Sequence, residues 1–459
     1  MADGSDTLAR LTAHVSPEQL ADWLRDQRWF ASKSQPLTSA ELIEQVELPG
    51  GLHIALAEAR FATGHSELYQ LVLAQAGPDA GPDAGELTLD AATEPDHARA
   101  LLRAIHDGVE LEGTLGNVSF RHAAGTEIPD PAAAYDEPVR AIGLEQSNTS
   151  VVFGDRVVLK LFRKLDAGIN PDLEMVRFLT TAGFANIAPL YGWYEYEGEA
   201  LAATLGIAQR FVSGGRDGWV LALDEIPAAP DRFLDRLSSL GTVTAQMHNT
   251  LAGGLSDPAF SPEEPSAESL GLLAASIDEA FERGFSQLPP DDPRLAPIID
   301  RAQEIRDRVS MRPQLRGGRY IRIHGDYHLG QTLATDAGWV LIDFEGEPAR
   351  PLTQRRMKRS PLRDVASMLR SFAYATSAVA LQRHQTAPSG FEDRARKRFL
   401  DAYLAEIDQA LLPAGEAQIQ SLLSLFELEK ALYELQYELD NRPDWVAIPV
   451  AGITRLLDS

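Results

Sequence analysis

The sequence predicts an α+β chain built as two lobes, a β-rich amino-terminal lobe and a mainly helical carboxy-terminal one. Three observations carry that expectation. Short apolar segments with strand-like patterning recur up to Val212, the triplet Ser213-Gly214-Gly215 interrupts them, and long stretches of helical periodicity follow. With 459 residues, 44% of them hydrophobic and 24% charged, the chain can bury a substantial core.

Taken in order, a short helical pattern spans Ser16 to Arg28, and strands are expected at Gly51 to Ala57 and Glu67 to Ala74. The tract AGPDAGPDAGE, Ala76 to Glu86, repeats Gly-Pro-Asp-Ala and reads as an exposed loop tip or linker. Val151 to Phe153, Gly154-Asp155 and Val157 to Phe162 form a β-hairpin pattern, with Val158, Lys160 and Phe162 on one face of its second strand. Asn170 and Pro171 then begin a helix expected to run to Thr181, with Asn170 as its N-cap and Glu174 in its first turn. The apolar segment Leu201 to Val212 precedes the hinge-like triplet. Beyond it lie the helices Arg232 to Leu251, Pro361 to Thr376 and Ala417 to Leu439, interrupted by two short strands, Tyr320 to Ile323 and Trp339 to Ile342.

Composition narrows the function classes. The net charge of −25 repels nucleic acid and anionic membrane surfaces, so neither is an expected partner. The absence of cysteine excludes disulfides, thiolate metal sites and a cysteine nucleophile. The opening MADGSDTLARLTAHV lacks a signal-peptide apolar stretch and no run of 18 apolar residues occurs, so a cytoplasmic location is expected.

The chemistry concentrates in IRIHGDYHLGQTLATDAGWVLIDFEGEP, Ile321 to Pro348. Phosphoryl transfer needs a carboxylate near the attacking hydroxyl and oxygen ligands that hold magnesium against nucleotide phosphates. Asp326, Gln331 and Asp343 supply that inventory: an Asp followed five positions later by an amide, then Asp-Phe-x-Gly at Asp343 to Gly346. Lys160, mid-strand between apolar neighbours, suits contact with the phosphates of ATP, with Glu174 the carboxylate expected to fix it. Glu145 to Ser150, EQSNTS, has no Gly-x-Gly-x-x-Gly, so phosphate contacts there would come from backbone amides and the hydroxyls of Ser147, Thr149 and Ser150. His324 reads as positioning its loop by a hydrogen bond, and Asp364 as holding the backbone of that loop.

These residues together resemble the kinase-like aminoglycoside phosphotransferase superfamily and, within it, the bacterial maltokinases. The resemblance rests on HGDYHLGQ at His324 to Gln331, DFEGEP at Asp343 to Pro348 and SPLRDVASMLRSF at Ser360 to Phe372, with QRWFASK at Gln27 to Lys33, EQSNTSVVFGD at Glu145 to Asp155 and EKALYELQYELDNRPDW at Glu429 to Trp445. It implies a bilobal protein-kinase-like fold with a cap subdomain at 1–90, an intermediate β-rich subdomain at 91–212 and a helical lobe at 213–459. It implies ATP-dependent phosphorylation of maltose at the anomeric hydroxyl, giving maltose 1-phosphate for α-glucan synthesis in a route linked to trehalose. The roles implied are Asp326 as base, Gln331 and Asp343 as Mg2+ ligands, Lys160 as phosphate contact, and Gln209 to Val212, with Phe211, as the hinge strand offering backbone hydrogen bonds to adenine. A trehalose-isomerising enzyme is a possible partner in that setting.

On the last long helix, Leu425, Leu428, Leu432, Leu435 and Leu439 form an apolar stripe, and Lys430, Tyr433 and Tyr437 fall on a neighbouring face. Aromatic faces and polar donors suit a sugar, and the resemblance assigns these three residues to maltose, with His328 either structural or near the acceptor. Two alternatives stand beside this reading: a kinase for another small acceptor such as glucosamine or an aminoglycoside, and a non-catalytic nucleotide-binding regulatory module.

Overall fold

The chain was analysed as a computed structural model that describes residues 15–75, 87–129, 137–142, 147–266, 292–310, 318–348 and 350–458, with scattered positions between 267 and 290. The Gly-Pro-Asp-Ala tract at 76–86, Glu145 and Gln146 lie outside the described residues. Two compact units emerge, one of residues 1–183 and 188–213, the other of 184–187 and 214–459.

In the first unit, Ser16 and Gln19 form a capping box that starts the helix Pro17–Asp26. Four strands follow, β1 (Leu37–Leu48), β2 (Leu52–Phe61), β3 (Ser66–Gln75) and the short β4 (Leu87–Thr88). The turn joining β1 to β2 uses Gly50 and Gly51 at φ 95° and 77°, a region that strains any residue with a Cβ. A helix, Pro95–Asp107, closes on Gly108 in the left-handed conformation. Then come β5 (Glu110–Glu112), β6 (Gly116–His122), β7 (Val139–Ile142), β8 (Asn148–Phe153), β9 (Val157–Phe162), β10 (Lys164–Leu165), the helix Pro171–Thr181, β11 (Leu190–Gly198) and β12 (Ala202–Arg210). One sheet has the order β1-β2-β3-β10, with β4 beside β3; the other runs β5-β6-β11-β12-β9-β8-β7.

Alternation along the strands of the first sheet builds two cores. Ala55, Ala57, Leu71 and Leu73 pack with Leu20, Leu24, Trp29 and Phe30, which absorbs the Trp-Phe of QRWFASK. Ile54, Leu56 and Val72 join Leu101, Ile105, Phe120, Phe153 and Leu159 in the other. Three buried polar side chains tie these layers. Gln70 donates to the carbonyls of Phe162 and Leu205 and accepts from Tyr194. Arg163 pairs with Asp90 at 2.8 Å, donates to Thr149 and lies over the Trp29 ring. Glu44 accepts from the backbone N–H of Gln45, Thr114 and Leu115 and from the Tyr196 hydroxyl.

The second unit is mainly helical: Gly218–Ala228, Pro230–Leu251, Leu362–Arg383, Phe391–Glu406, Glu416–Asn441 and Ala447–Asp458. Gly241 lets the second and fourth of these approach closely, since a Cβ there would stand 2.3 Å from the Phe399 carbonyl. A small sheet joins β13 (Arg216–Asp217), β14 (Thr332–Thr335) and β15 (Gly338–Leu341). Phe184–Ile187 belongs to this unit, as the Leu341 N–H donates to Asn186.

The hairpin and the Asn170-capped helix match the sequence pattern. Tyr320 to Ile323 does not form the expected strand. Tyr320 and Ile321 make single bridges to Glu263 and Arg359, because among the described residues no strand lies alongside to extend a ladder. The strand expected at Trp339 to Ile342 forms as Gly338–Leu341 and finds its partner in Thr332–Thr335, a segment whose period is too short to announce itself.

Replacing Glu44 by Ala should destabilise the first unit by roughly 3 kcal/mol, because several buried donors lose their acceptor together. Urea denaturation checks this, and a loss under about 0.5 kcal/mol would remove Glu44 from this role.

Candidate active site

Asp364 sits near the start of the helix Leu362–Arg383 and is 1% exposed. Its two carboxylate oxygens accept from the backbone N–H of His324 at 2.8 Å and of Gly325 at 3.0 Å. His248, from Pro230–Leu251, donates to it through Nε2 at 3.1 Å and contacts the Tyr403 hydroxyl through Nδ1. Burial pushes the Asp364 carboxyl up, but the His248 hydrogen bond and nearby imidazoles outweigh it and hold the group below its usual range. The expectation that Asp364 holds the loop backbone is therefore met.

His324 completes the frame. Its Nε2–H donates to the Ile342 carbonyl at 3.0 Å, while its ring packs against Tyr327 and Phe344. The loop bearing Asp326 is thus fixed to the segment bearing Asp343. Asp343 stands at φ 64°, a left-handed conformation that costs a non-glycine residue energy. Gln331 donates through Nε2 to Asp343 Oδ2 at 3.0 Å, which brings the two expected metal ligands together.

Asp326 is partly exposed, and no described residue hydrogen-bonds its carboxylate. Lys430 Nζ lies 3.7 Å from Oδ1 and His328 Nε2 3.9 Å from Oδ2. Lys430 itself donates to Glu347 at 2.8 Å. Burial works against the lysine charge, yet Glu347 and Asp326 outweigh that effect and hold the ammonium above its usual range. For Glu347 burial acts upward, but Lys430 and Arg350 dominate and bring it down to about 2. His328 is held below its ordinary value chiefly by burial, and its Nδ1 accepts from the Gly330 N–H. A pocket runs from this point, lined by Gly325, Gly346, Glu347, Lys430 and Tyr433 among others.

The first unit supplies a separate group of residues. Lys160 is 9% exposed and donates to Asp172 Oδ2 at 3.0 Å. Asp172 is thus a carboxylate partner that the sequence reading did not name, while Glu174 is buried two residues further along the same helix. Of the expected phosphate-covering segment, whose Glu145 and Gln146 lie outside the described residues, Asn148 to Ser150 belong to β8, the Thr149 hydroxyl accepts from Arg163, Ser150 is 1% exposed and Ser147 is exposed. The hinge expectation narrows as well. The N–H groups of Arg210 and Phe211 already donate to Pro189 and Arg156, the Gln209 side chain donates to Ala188, and Gln209 and Arg210 pair with Val158 and Val157 of β9, so Val212 is the residue of this segment outside the ladder and without such a bond among the described residues.

A family described as "Phosphotransferase enzyme family" matches residues 138–400, more than half of the chain. The chain belongs to that family. A second family, the maltokinase N-terminal cap domain, matches residues 23–107 of this phosphotransferase. Among curated proteins it is similar to a glucosamine kinase of Streptacidiphilus jiangxiensis, 27% identical over 69% of this chain and 73% of the relative. A glucosamine kinase of Mycolicibacterium smegmatis is also 27% identical, over 70% of this chain and 79% of the other. Among solved structures, a glucosamine kinase in complex with glucosamine, ADP and inorganic phosphate covers 95% of this chain and 99% of its own, at 22% identity and TM-score 0.71. A second crystal form gives TM-score 0.72 at 21% identity. The kinase-like α+β fold with an amino-terminal cap is thereby established for the phosphotransferase.

Tyr433 lines the pocket with its ring beside Lys430, whereas Tyr437, one turn on, lies under Arg442 and is not among the lining residues. Three residues escaped the sequence reading. Glu347 was visible only as part of DFEGEP, Asp172 lies in the same first helical turn as Glu174, and His248 carried no local signal.

In the phosphotransferase, Asp364→Asn should cost roughly 2 kcal/mol of stability at neutral pH, since one buried acceptor becomes a donor. A carboxyl held low in the folded state stabilises above its unfolded value, near 4, and loses that contribution as pH falls through the lower folded value. The stability gap between wild type and variant should therefore stay constant from about pH 7 to pH 5 and narrow below about pH 4, read from urea unfolding across that range.

Proposed function

We propose that this phosphotransferase moves the γ-phosphoryl group of ATP to a hydroxyl of a neutral sugar, with maltose, at its anomeric hydroxyl, as the acceptor. The transfer itself is supported most by one observation: the Asp326 carboxylate, carried on a loop anchored by Asp364, has no hydrogen bond among the described residues and faces Lys430. A base in that condition can accept the hydroxyl proton as the oxygen attacks phosphorus. The side-chain oxygens of Gln331 and Asp343 suit a hard cation such as Mg2+, and their mutual hydrogen bond leaves Gln331 Oε1 unbonded among the described residues. They would hold the ion, which, when bound, neutralises phosphate charge. Lys160, fixed by Asp172, would contact the phosphates, and Lys430 would steady the acceptor beside the base.

The choice of a neutral acceptor rests on the pocket. Arg350, Arg355, Arg359, Arg363 and Lys430 line it against the carboxylates Glu347, Asp364 and Glu429. An excess of cations disfavours a protonated amine and tolerates a neutral sugar. The maltokinase cap match at 23–107 supports the same choice. The names of the similar glucosamine kinases favour the amino sugar as second reading.

Two measurements bear on this. Asp326→Asn should lower kcat by about 10²–10⁴-fold while ATP affinity, measured by calorimetry, stays near wild type. Unchanged turnover would exclude Asp326 as base. With maltose, glucose and glucosamine offered in parallel, maltose should give the highest kcat/KM. Tyr433→Ala should lower that value by the equivalent of about 1–3 kcal/mol while KM for ATP holds. Faster turnover of glucosamine would replace the acceptor assignment and leave the kinase assignment standing.

A further inference from the structure

The arginines that line the pocket are not alike. Arg363 pairs with Glu429, and Arg350 with Glu347. Glu347 also binds Lys430, and Asp364 is taken by the His324 and Gly325 amides and His248. The pocket's carboxylates are therefore committed. Among the described residues Arg359 has no ion pair, and its hydrogen bonds there are those of its backbone with Ile321. Its guanidinium is half-buried: burial first, then Arg363 and Arg350, outweigh the attraction of Glu429 and Glu347 and bring it down to about 10, so it remains charged at neutral pH. A chain with net charge −25 has carboxylates to spare, yet among the described residues none lies within ion-pair distance of this arginine, and the nearby Glu429 and Glu347 are engaged by Arg363 and Lys430.

An unpaired, partly desolvated guanidinium flanked by two others is costly unless an external anion completes it. The Arg359 fork can donate two parallel N–H bonds to the oxygens of a phosphate, while Arg363 uses Nη2 for Glu429 and Arg350 uses Nε for Glu347, so each keeps further N–H groups to add to it. The same pocket includes Gly325, next to Asp326, and Gly346, which approach each other closely: a Cβ on Gly325 would stand 3.3 Å from the Gly346 Cα.

We propose that Arg359, with Arg363 and Arg350, forms an oxyanion subsite in the acceptor pocket that takes a phosphate monoester. The ligand class includes the phosphorylated sugar this enzyme releases and free inorganic phosphate. The subsite rests on the reading that this pocket is where the acceptor binds, and it gives that reading a consequence: a glycosyl phosphate held there competes with acceptor and not with nucleotide.

The test is calorimetric titration of the full-length protein, without nucleotide, with inorganic phosphate and separately with an α-glycosyl 1-phosphate. Wild type should bind both in a salt-sensitive manner, and Arg359→Gln should weaken binding by about tenfold or more, with Arg359→Lys between them. Lys160→Ala, which alters the phosphate contact proposed for ATP, should leave this binding in place. Tighter binding of the glycosyl phosphate identifies a product site, and equal binding identifies a site for the bare oxyanion; both support the subsite. It is overturned if wild type binds neither probe, or if Arg359→Gln, with an unchanged melting temperature, binds as wild type does. Phosphate binding alongside a preference for glucosamine would sink the acceptor reading alone. Maltose turnover without phosphate binding would sink the subsite alone.

Discussion

A single buried carboxylate governs the geometry of the second unit. Asp364 is removed from water, a situation that costs several kcal/mol unless its oxygens are fully satisfied. They are satisfied by two consecutive loop amides and one imidazole, so the loop from His324 cannot drift without exposing an unpaired charge. His324 then passes the constraint on through its hydrogen bond to Ile342, one residue before Asp343. Proton acceptor and metal-ligand candidates are thus positioned by one chain of bonds whose origin lies in a helix rather than in either loop. The left-handed Asp343 is tolerable in that setting, since a strained residue persists where its surroundings over-determine it.

The first unit applies the same logic with different side chains. Arg163, Gln70 and Glu44 are polar groups placed where apolar layers meet, and each is saturated by partners distant in sequence. Partial satisfaction would make such groups a liability, and full satisfaction makes them specify a single register. Lys160 follows the pattern on a smaller scale: a strand lysine held by a carboxylate in the first turn of the next helix.

What could be read from sequence was what depends on neighbours along the chain. The Asn170 cap, the β8–β9 hairpin and the apolar stripe of Glu416–Asn441 follow from local geometry, and the stripe holds through Leu435 before Leu439 becomes half-buried. The short motifs also indicated Asp364 as a loop anchor. Glu174 was indicated by its place in the first turn of the helix, whereas Asp172 in the same turn was not, because the direction of each side chain depends on where β9 passes. Tyr320 to Ile323 alternates like a strand but has no ladder to join, a fact that resides in its surroundings. Lys430 beside Asp326, and His248 beside Asp364, join segments separated by long stretches of chain, and no spacing rule reaches that far.

Net charge proved the least transferable of the sequence-level quantities. A chain at −25 invites the inference that any substrate pocket is acidic and welcomes amines, yet the pocket next to Lys430 carries more cations than carboxylates. The two statements are compatible, because exposed acids are screened within roughly 8–10 Å in physiological salt, whereas half-buried arginines act on a ligand at contact distance in a weaker dielectric. The long-range field influences which molecules approach the protein. Which of them is retained depends on a few guanidinium groups and on how far the surrounding carboxylates are already committed, so acceptor preference in this fold can change through two or three pocket residues without any change in overall charge.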